Sequence, residues 1–485
     1  MTVQNHLDTI KARLLNQTPP TPDYERIQPV KPSINIGCLL DIPTGSYIEG
    51  IHGEHILNGG KAHITGIVGK GNNFKSTIMH YCDLTALERM MMATFSSLNT
   101  YDTEMNIQEA GLRRFLKRFP LFREMDIIDA GFWSITDKVN YYANEWFEKF
   151  KDFLKERRKN KAKLELETPF VDRDGVSLMK MIVPTFHQVD SFTEFESEAV
   201  AGIANDNELG EASGNTIHMK QGLDKTRFLM ELPVLSLGSN AYVTLTAHVG
   251  KKIEMASGPV KAPPDKQLHN LKHGDVVKGV TNKFFFLMLN CWHAMGAAPL
   301  VNQGTGAAEY PRAGENDAKG DTDLNTVKLI QLRGKNGLTG YTVEIVVSQS
   351  EGVLPSLTEF HYLKKRKFGF TGNDRSYVLD LYPDCSLSRT TIRDKLDEDQ
   401  RLARAMNITA EIMQIKEYWP TFDKDLWCEP KVLYEDLKKM GYDWNVLLDT
   451  RGWWTLQNDK QPIPYLSTMD LFRMRKGLYK PYWMN

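Results

Sequence analysis

The sequence lacks the cysteine pattern of a disulfide-rich or zinc-ribbon protein. It has five cysteines in 485 residues, and these are far apart and form no C-x-x-C pair. Isolated cysteines of this kind are typical of reduced, mostly buried thiols in the cytosol. They are Cys38, Cys82, Cys291, Cys385 and Cys428. We therefore expect no disulfide framework and a cytoplasmic location.

Long apolar runs and a dominant charge are also missing. No run approaches the roughly 18 apolar residues of a membrane span, and no secretory signal pattern is present, so we expect no membrane partner. The formal net charge is −1. A surface that is nearly neutral overall does not bind nucleic acid through its general charge. Any such binding would depend on local basic segments.

The length predicts one large α/β domain with smaller pieces at its ends. Residues 1–40 contain a short helical pattern and a proline cluster, which indicate either a packing arm for a neighbouring subunit or a loosely held terminus. Residues 41–385 would form the main domain. Residues 386–485 are rich in tryptophan and short helical patterns, which predicts a small separate domain.

The most informative stretch is a strand, a glycine-containing loop and a helix, in that order. His63–Val68 is short and mostly apolar or β-branched, as expected of a buried parallel strand, and Ser76–Met92 has the composition of a helix. The loop between them contains Gly69 and Gly71. Backbone N–H groups of such a loop, together with the start of the helix, can bind a polyphosphate.

Two side chains at the end of this loop are typical of nucleotide sites. Lys75 would neutralise the β- and γ-phosphate oxygens, and the hydroxyl of Ser76 would bind Mg²⁺. The pattern G-x-x-x-x-G-K-[ST] is incomplete, because Phe74 stands where the second glycine is expected. The alternative is a Gly/Asn turn with an exposed lysine.

Three later segments have the pattern of strands that end in polar residues, and these residues are Glu104, Asp190 and His248. In doubly wound folds, ligands lie at the carboxyl ends of strands. Glu104 would orient or deprotonate a water, Asp190 would hold Mg²⁺ and His248 would sense the γ-phosphate. The alternatives are structural: a helix cap at Asp102 or Glu104, a surface turn at Asp190 and a structural histidine.

Several other elements are predicted from local patterns. They are a strand at Met125–Ala130, a charged helix from Asp137 to about Lys163, a hairpin turn at Asp172–Gly175, a buried strand at Phe284–Leu289, and paired strands at Val327–Lys335 and Tyr341–Val347 joined through Asn336-Gly337. Arg333 and Lys335 are two residues apart and would point to one face of their strand. The alternative is a pair of solvent-facing charges.

A basic segment follows the strand that ends at His248. Residues 249–283 contain seven lysines and three acidic residues, with glycines and prolines. A long basic loop beside a nucleotide site indicates a nucleic-acid contact, and its alternative is an ordinary solvated loop. The candidate DNA-binding side chains are Lys251, Lys252, Lys272 and Lys278. A polar loop at 203–217 and the basic-aromatic tail Arg473–Trp483 are further candidates, and packing explains the tail equally well.

The order of these motifs resembles that of the RecA-like recombinases, most closely the bacteriophage UvsX type, over Asp41 to Leu363. The matching segments are Thr44-Gly45-Ser46, Phe74-Lys75-Ser76 five residues after Gly69, Tyr101-Asp102-Thr103-Glu104 and Val189-Asp190-Ser191. The resemblance implies an α/β fold: a RecA-like P-loop ATPase core with a mainly parallel central sheet, plus a small C-terminal domain. Insertions near 155–180 and 300–325 depart from the family pattern, and residues 386–485 match nothing in it.

The resemblance also implies roles for individual residues. Glu104 and Lys75 would be catalytic, and Ser76 and Asp190 would bind the metal. Arg333 and Lys335 resemble the basic pair that reaches the ATP of a neighbouring subunit. The residues expected to contact nucleotide are Gly69, Gly71, Asn73, Phe74, Lys75, Ser76, Thr77, His248, Arg333 and Lys335. The loops at 203–217 and after His248 would be the first and second DNA-binding loops.

The function implied is that of a DNA-dependent ATPase in recombination and repair. Such a protein uses ATP and Mg²⁺, forms helical filaments on single-stranded DNA and exchanges strands with double-stranded DNA. Its location would be the cytoplasm, which is the host's if the gene is carried by a phage. Two alternatives remain: a hexameric DNA helicase of the same core fold, and a non-catalytic DNA-binding or structural protein with a decayed ATP site.

Overall fold

A computed structural model describes residues 30–172, 174–206, 214–251, 267–312, 321–335, 337–373, 375–419 and 422–484, the side chains of 203–206 and 214–218 excepted. The predicted N-terminal helix, Lys252, Asn336, residues 207–213 of the predicted polar loop and residues 252–266 of the basic segment lie outside the described residues. The loop prediction is wrong for residues 203–206 and 214–217, which are helical.

Seventeen strands are present in the described ranges. They are β1 Ser46–Glu49, β2 His55–Asn58, β3 Ile64–Gly69, β4 Ser97–Asp102, β5 Trp133–Asp137, β6 Glu165–Val171, β7 Leu178–Ile182, β8 Thr185–Asp190, β9 Ala241–Lys251, β10 Asp275–Val277, β11 Asn290–Pro299, β12 Leu324–Gly334, β13 Thr342–Ser348, β14 Gly352–Val353, β15 Phe370–Asn373, β16 Ser376–Leu379 and β17 Tyr382–Leu387.

The helices surround these strands. They are α1 Asp41–Thr44, α2 Lys75–Met91, α3 Glu109–Leu116, α4 Pro120–Glu124, α5 Ala143–Lys159, α6 Lys161–Leu164, α7 Glu198–Asp206, α8 Gly214–Ser239, α9 Asn282–Leu287, α10 Pro355–Arg366, α11 Ile392–Glu398, α12 Gln400–Tyr418, α13 Pro430–Lys439, α14 Trp444–Leu448 and α15 Thr468–Arg475, with 3₁₀ turns at Phe192–Glu194 and Asn458–Lys460. None of the helices in the described part of the chain is long and apolar enough to cross a membrane.

A ten-stranded, mainly parallel sheet forms the centre of the molecule. Its order is β14-β13-β12-β11-β3-β9-β8-β4-β5, and β10 pairs with β9. The strands from β11 to β5 in this order are parallel, whereas β12, β13 and β14 extend the sheet in antiparallel fashion. Every residue of β3 and β8 is buried. This is expected of parallel strands with helices on both faces, and the α/β prediction is confirmed at this level.

The two faces of the sheet carry different hydrophobic clusters. Helix α2 contributes Ile78 and Met79 to the larger cluster on one face. Helices α5 and α8 contribute Phe150 and Phe228 to the smaller cluster on the other face. Residues that alternate along β9, such as Tyr242 and Val243, enter opposite clusters, as the pleat requires.

A buried ion pair connects α2 to the sheet. The Nζ of Lys61, just before β3, lies 2.6 Å from Oδ1 of Asp83 on α2, and both side chains are fully buried. Gln188 of β8 donates to the other carboxylate oxygen of Asp83 at 2.9 Å. Thr100 of β4 donates to Gln188 at 2.8 Å. This chain of contacts orients the helix that follows the glycine loop.

Two predicted strands are wrong. Residues 126–131 form a turn, because the Asp126 carboxylate accepts the N–H groups of Ile128 and Asp129, and the strand begins only at Trp133. Phe284–Leu289 is largely the helix α9. Phe284 and Phe285 are buried while Phe286 is 66% exposed, which is a helical pattern and not the alternation of a strand.

Two further predictions need new boundaries. The strand predicted at 181–191 is two strands, since Pro184 has no N–H group to continue the ladder of β7. The charged helix begins at Ala143 and not at Asp137, and the Glu145 side chain accepts the backbone N–H of Tyr142 at this start. The hairpin β6–β7 lies within the insertion predicted near 155–180.

The last hundred residues pack closely on the rest of the chain. The Trp454 indole donates to the carbonyl of Ser33 at 3.0 Å, and the Gln414 amide donates to the carbonyl of Leu39 at 2.9 Å. Trp454 and Leu402 belong to the same hydrophobic cluster as α2. The domain boundary at 385/386 stays a prediction. The tail aromatic Trp483 donates to the carbonyl of Tyr465 at 3.1 Å, which accords with the packing alternative.

Candidate nucleotide-binding site

The register of the parallel strands brings the predicted site residues to one edge of the sheet. Gly69 at the end of β3 lies beside His248 of β9 on one side and Ala294 of β11 on the other. Asp102 at the end of β4 lies beside Asp190 at the end of β8. Because all these strands run in the same direction, their carboxyl ends form a common edge, where ligands bind in open α/β sheets.

The glycine loop, residues 69–75, makes a tight connection from β3 to α2. A Cβ atom on Gly69 would lie 2.8 Å from the carbonyl oxygen of Ala294, so only glycine fits there. The Asn73 amide donates to the same carbonyl at 2.9 Å. Asn72 and Phe74 have left-handed backbones, with φ of 59° and 57°. Phe74 thus adopts, at the expected glycine position, a conformation that glycine takes without strain.

Lys75 begins α2 and turns back over its own loop. Its side chain is largely buried, and Nζ donates to the carbonyl of Lys70 at 2.9 Å. Burial lowers the pKa of Lys75, and the charges of Asp190 and Glu104 oppose that shift. The exposed-lysine alternative is therefore wrong. Ser76 and Thr77 lie half-buried in the first turn of the helix, where backbone N–H groups have no partners within the helix.

Asp190 has one oxygen in use and one without a partner. Thr246 of β9 donates its hydroxyl to Oδ1 of Asp190. Oδ2 is buried and accepts no hydrogen bond from the described residues. Leaving a buried carboxylate oxygen unpaired costs stability, and such an exception to the usual pairing requires an explanation. The surface-turn alternative fails for Asp190, because its side chain is buried beside Lys75.

These residues fit a Mg²⁺ ion. The free oxygen of Asp190 and the hydroxyl of Ser76 are hard oxygen donors, which Mg²⁺ prefers, and this ion usually takes only one or two protein carboxylates. Within the described ranges, no cluster of three or more His, Cys, Asp or Glu side chains forms a metal site. A metal at this edge would therefore need other oxygen ligands, such as phosphates and water.

Asp102, the last residue of β4, and Glu104, two residues later, have different environments. Asp102 accepts the backbone N–H groups of Glu104, Met105 and Ile107 at 2.8–3.0 Å, so it is the residue that holds the turn. Glu104 is left free to contact His248, and its Oε1 lies 2.7 Å from Nε2 of that residue. Desolvation raises the pKa of Glu104. The hydrogen bond from His248 and the charge of Lys75 lower it by more, so the net shift of this pKa is downward.

His248 is connected to the basic segment through its backbone. Its N–H donates to the Thr193 hydroxyl at 2.9 Å, and its carbonyl accepts the N–H of Lys278 at 2.8 Å. Lys272 and Lys278 are exposed. Lys251 is exposed as well, but its Nζ lies 2.6 Å from Oδ1 of Asp275. Three of the four candidate DNA-binding lysines are thus described, and one of them has an acidic partner.

Arg333 and Lys335 lie at the opposite edge of the sheet. Strand β12 is antiparallel to β11, so Arg333 lies beside Cys291, near the beginning of the parallel strands. The guanidinium donates to the carbonyl of Met288 at 3.3 Å, and the backbone N–H of Lys335 donates to the carbonyl of Leu289 at 3.0 Å. The fold does not bring this pair to the glycine loop of the same chain.

Sequence reasoning missed the polar partners that orient the site. Thr246 and Thr193, which contact Asp190 and His248, were not predicted. The alternation of Thr244, Thr246 and His248 along β9 was a usable signal, since it places three polar residues on one face of a strand. Thr193 lies in the 3₁₀ turn Phe192–Glu194, which is too short to produce a periodic pattern in the sequence.

No protein-family model matches the chain, and no curated protein matches it.

Proposed function

We propose that this chain is an ATP-dependent DNA recombinase of the RecA-like type, which forms filaments on single-stranded DNA and exchanges strands. The supporting observation is the convergence, at the carboxyl edge of adjacent parallel strands, of a glycine loop with a buried lysine, a partly unpaired carboxylate and a Glu–His pair. These are the groups that triphosphate hydrolysis requires.

Each side chain has a distinct task in this proposal. The loop N–H groups and Lys75 bind the phosphates, and the ammonium group exchanges the Lys70 carbonyl for phosphate oxygens. Glu104, whose carboxyl group stays ionised at neutral pH, orients and deprotonates the attacking water. His248 holds Glu104 in place and reports the state of the γ-phosphate to the basic segment through its backbone contact with Lys278.

Asp190 and Ser76 would hold Mg²⁺. The ion would neutralise the charge of the phosphates. Asp190 contributes the unpaired Oδ2 atom, while Thr246 fixes the orientation of the carboxyl group.

The position of Arg333 and Lys335 favours an assembled enzyme. Both lie on the side of the sheet away from the glycine loop, so in this proposal they contact the ATP of a neighbouring copy. The exposed Lys272 and Lys278 then contact DNA, and we expect binding to weaken steeply with salt.

An ATPase assay with and without single-stranded DNA tests the hydrolytic part of the proposal. We expect Lys75→Ala and Glu104→Gln each to lower ATP turnover by at least about 100-fold, since each removes a group that acts on the transition state. Lys70→Ala is the matched control, because this exposed lysine lies in the same loop and only its carbonyl contacts Lys75. Equal activity of wild type and Lys75→Ala would reject the ATPase and favour a decayed site.

Strand exchange and negative-stain imaging test the rest. Filaments on single-stranded DNA with exchange of homologous strands are expected. Closed rings that unwind a forked duplex without strand exchange would replace the recombinase with a hexameric helicase.

A further inference from the structure

The buried lysine Lys225 is not part of the nucleotide site described above. It lies on α8, and only 1% of its surface is exposed. Its ammonium group donates to two backbone carbonyls: that of Thr193 at 2.5 Å and that of Gly279 at 3.0 Å. The ring of Phe192 lies 5.9 Å away. A lysine rarely occupies such an apolar position unless its N–H groups have a specific task.

The two carbonyls belong to segments that are far apart in the sequence. Thr193 follows Asp190 by three residues, and its hydroxyl accepts the N–H of His248. Gly279 follows Lys278, whose N–H donates to the carbonyl of His248. Lys225 therefore closes a ring of contacts through Thr193, His248 and the Lys278-Gly279 segment, and the chain connects Thr193 to Asp190.

The contact between Lys225 and Gly279 connects the two segments that we propose to bind DNA. Helix α8 begins at Gly214, within the polar stretch 203–217, and Gly279 belongs to the last part of the basic segment. Gly279 has a left-handed backbone with φ of 62°, and a Cβ there would lie 3.0 Å from the Thr193 carbonyl and 3.3 Å from the Lys225 ammonium. Glycine at this position lets the basic segment approach the lysine closely.

Three charged side chains influence the protonation of Lys225. Glu194 and Glu196 favour its charged form, while Lys138 opposes it. Lys138 itself forms an ion pair with Glu196. Burial, the largest influence, lowers the pKa of Lys225 to about 8, so the ammonium is mostly protonated at neutral pH and can donate to both carbonyls.

We propose that Lys225 is a positioning residue that couples the nucleotide state to DNA affinity, by holding α8 and the end of the basic segment to the turn after Asp190. The inference depends on the function proposed above. When the contacts of Asp190 and His248 change with the nucleotide, Thr193 moves with them. Lys225 passes that movement to both DNA-contacting segments.

The test compares Lys225→Met with wild type and with the control Lys220→Met, which removes an exposed charge from the same helix. The affinity for a fluorescent oligonucleotide is measured with a nonhydrolysable ATP analogue and with ADP. In wild type and the control, the analogue should tighten binding by about 5- to 150-fold, the usual range for coupled sites. In Lys225→Met this ratio should fall to near 1, while ATP turnover without DNA stays within about twofold. Lys225→Arg, which keeps donors and charge, should restore part of the ratio.

The outcomes separate the two proposals. Wild type without Lys75-dependent ATP turnover overturns the proposed function and this inference with it. Wild-type turnover and coupling that persist unchanged in Lys225→Met overturn the inference alone. If Lys225→Met does not fold, Gly279→Ala displaces the same carbonyl and should lower the ratio, and an unchanged ratio in that variant also overturns the inference.

Discussion

Two buried carboxylates, Asp83 on helix α2 and Asp190 at the end of β8, differ in how many of their oxygen atoms have a partner. Asp83 has a partner at each oxygen: the Lys61 ammonium forms an ion pair with Oδ1 at 2.6 Å, and Gln188 donates a hydrogen bond to Oδ2 at 2.9 Å. Asp190, near the start of the same helix, has Thr246 at one oxygen and no partner among the described residues at the other. Removing a carboxylate whose partners are buried with it destabilises the fold, whereas a carboxylate with an unpaired oxygen keeps capacity for a ligand. We therefore assign Asp83 to the structural framework and Asp190 to the candidate site.

The largest expected effect is at the saturated carboxylate. Asp83→Asn removes the partner of Lys61 and leaves a buried, uncompensated ammonium group. We expect the free energy of unfolding to fall by about 3–5 kcal/mol, measured by urea denaturation at pH 7. Asp152→Asn is the control, since its partner Lys155 is 60% exposed and an ion pair in contact with water contributes little to stability. A loss at Asp83 no larger than at Asp152 would contradict the comparison.

A third buried carboxylate extends the comparison to pH. Burial raises the pKa of Glu359 from 4.5 to about 8, although a hydrogen bond from Asn407 opposes this and the charge of Glu411 adds to it. The folded state therefore keeps the proton longer than the unfolded state. Its stabilising effect is complete below pH 4.5 and is lost as the pH rises toward 8.

We expect Glu359→Gln to remove that dependence. Between pH 6 and 8 the wild-type free energy of unfolding should fall by about 1–3 kcal/mol more than that of the variant. Parallel urea titrations at both pH values measure the difference. Glu109→Gln serves as the control, because it removes a carboxyl group from a side chain that is 58% exposed. Identical slopes in wild type and Glu359→Gln would show that Glu359 does not bind the proton.

The smallest effect on stability is expected at the unsaturated carboxylate. Asp190→Asn keeps the oxygen that accepts the Thr246 hydroxyl and removes a charge that has no full set of partners. The free energy of unfolding should therefore change by less than about 1 kcal/mol, in contrast to the same substitution at Asp83. The thermal stabilisation by ATP and Mg²⁺ that the proposed function implies for the wild type should be absent in this variant. A loss of several kcal/mol without ligand would mean that Asp190 belongs to the scaffold.

Local patterns predicted many of the elements that carry the candidate site. The strand before Gly69, the helix after it and the strands ending near Glu104, Asp190 and His248 were predicted within a few residues. Errors occurred where side chains compete with the periodic signal. Asp126 captures backbone N–H groups into a turn, and three consecutive phenylalanines carry no periodicity that separates strand from helix.

The sequence by itself determined which residue types occur at the ends of strands, since a strand, a turn and a helix start depend on a few neighbours along the chain. Only the tertiary structure decided which of these ends meet. Strand register and direction bring Glu104 to His248 and carry Arg333 to the far edge of the sheet. Pairing between distant strands depends on the whole core, because shifting one strand by a single residue would turn every side chain to its other face.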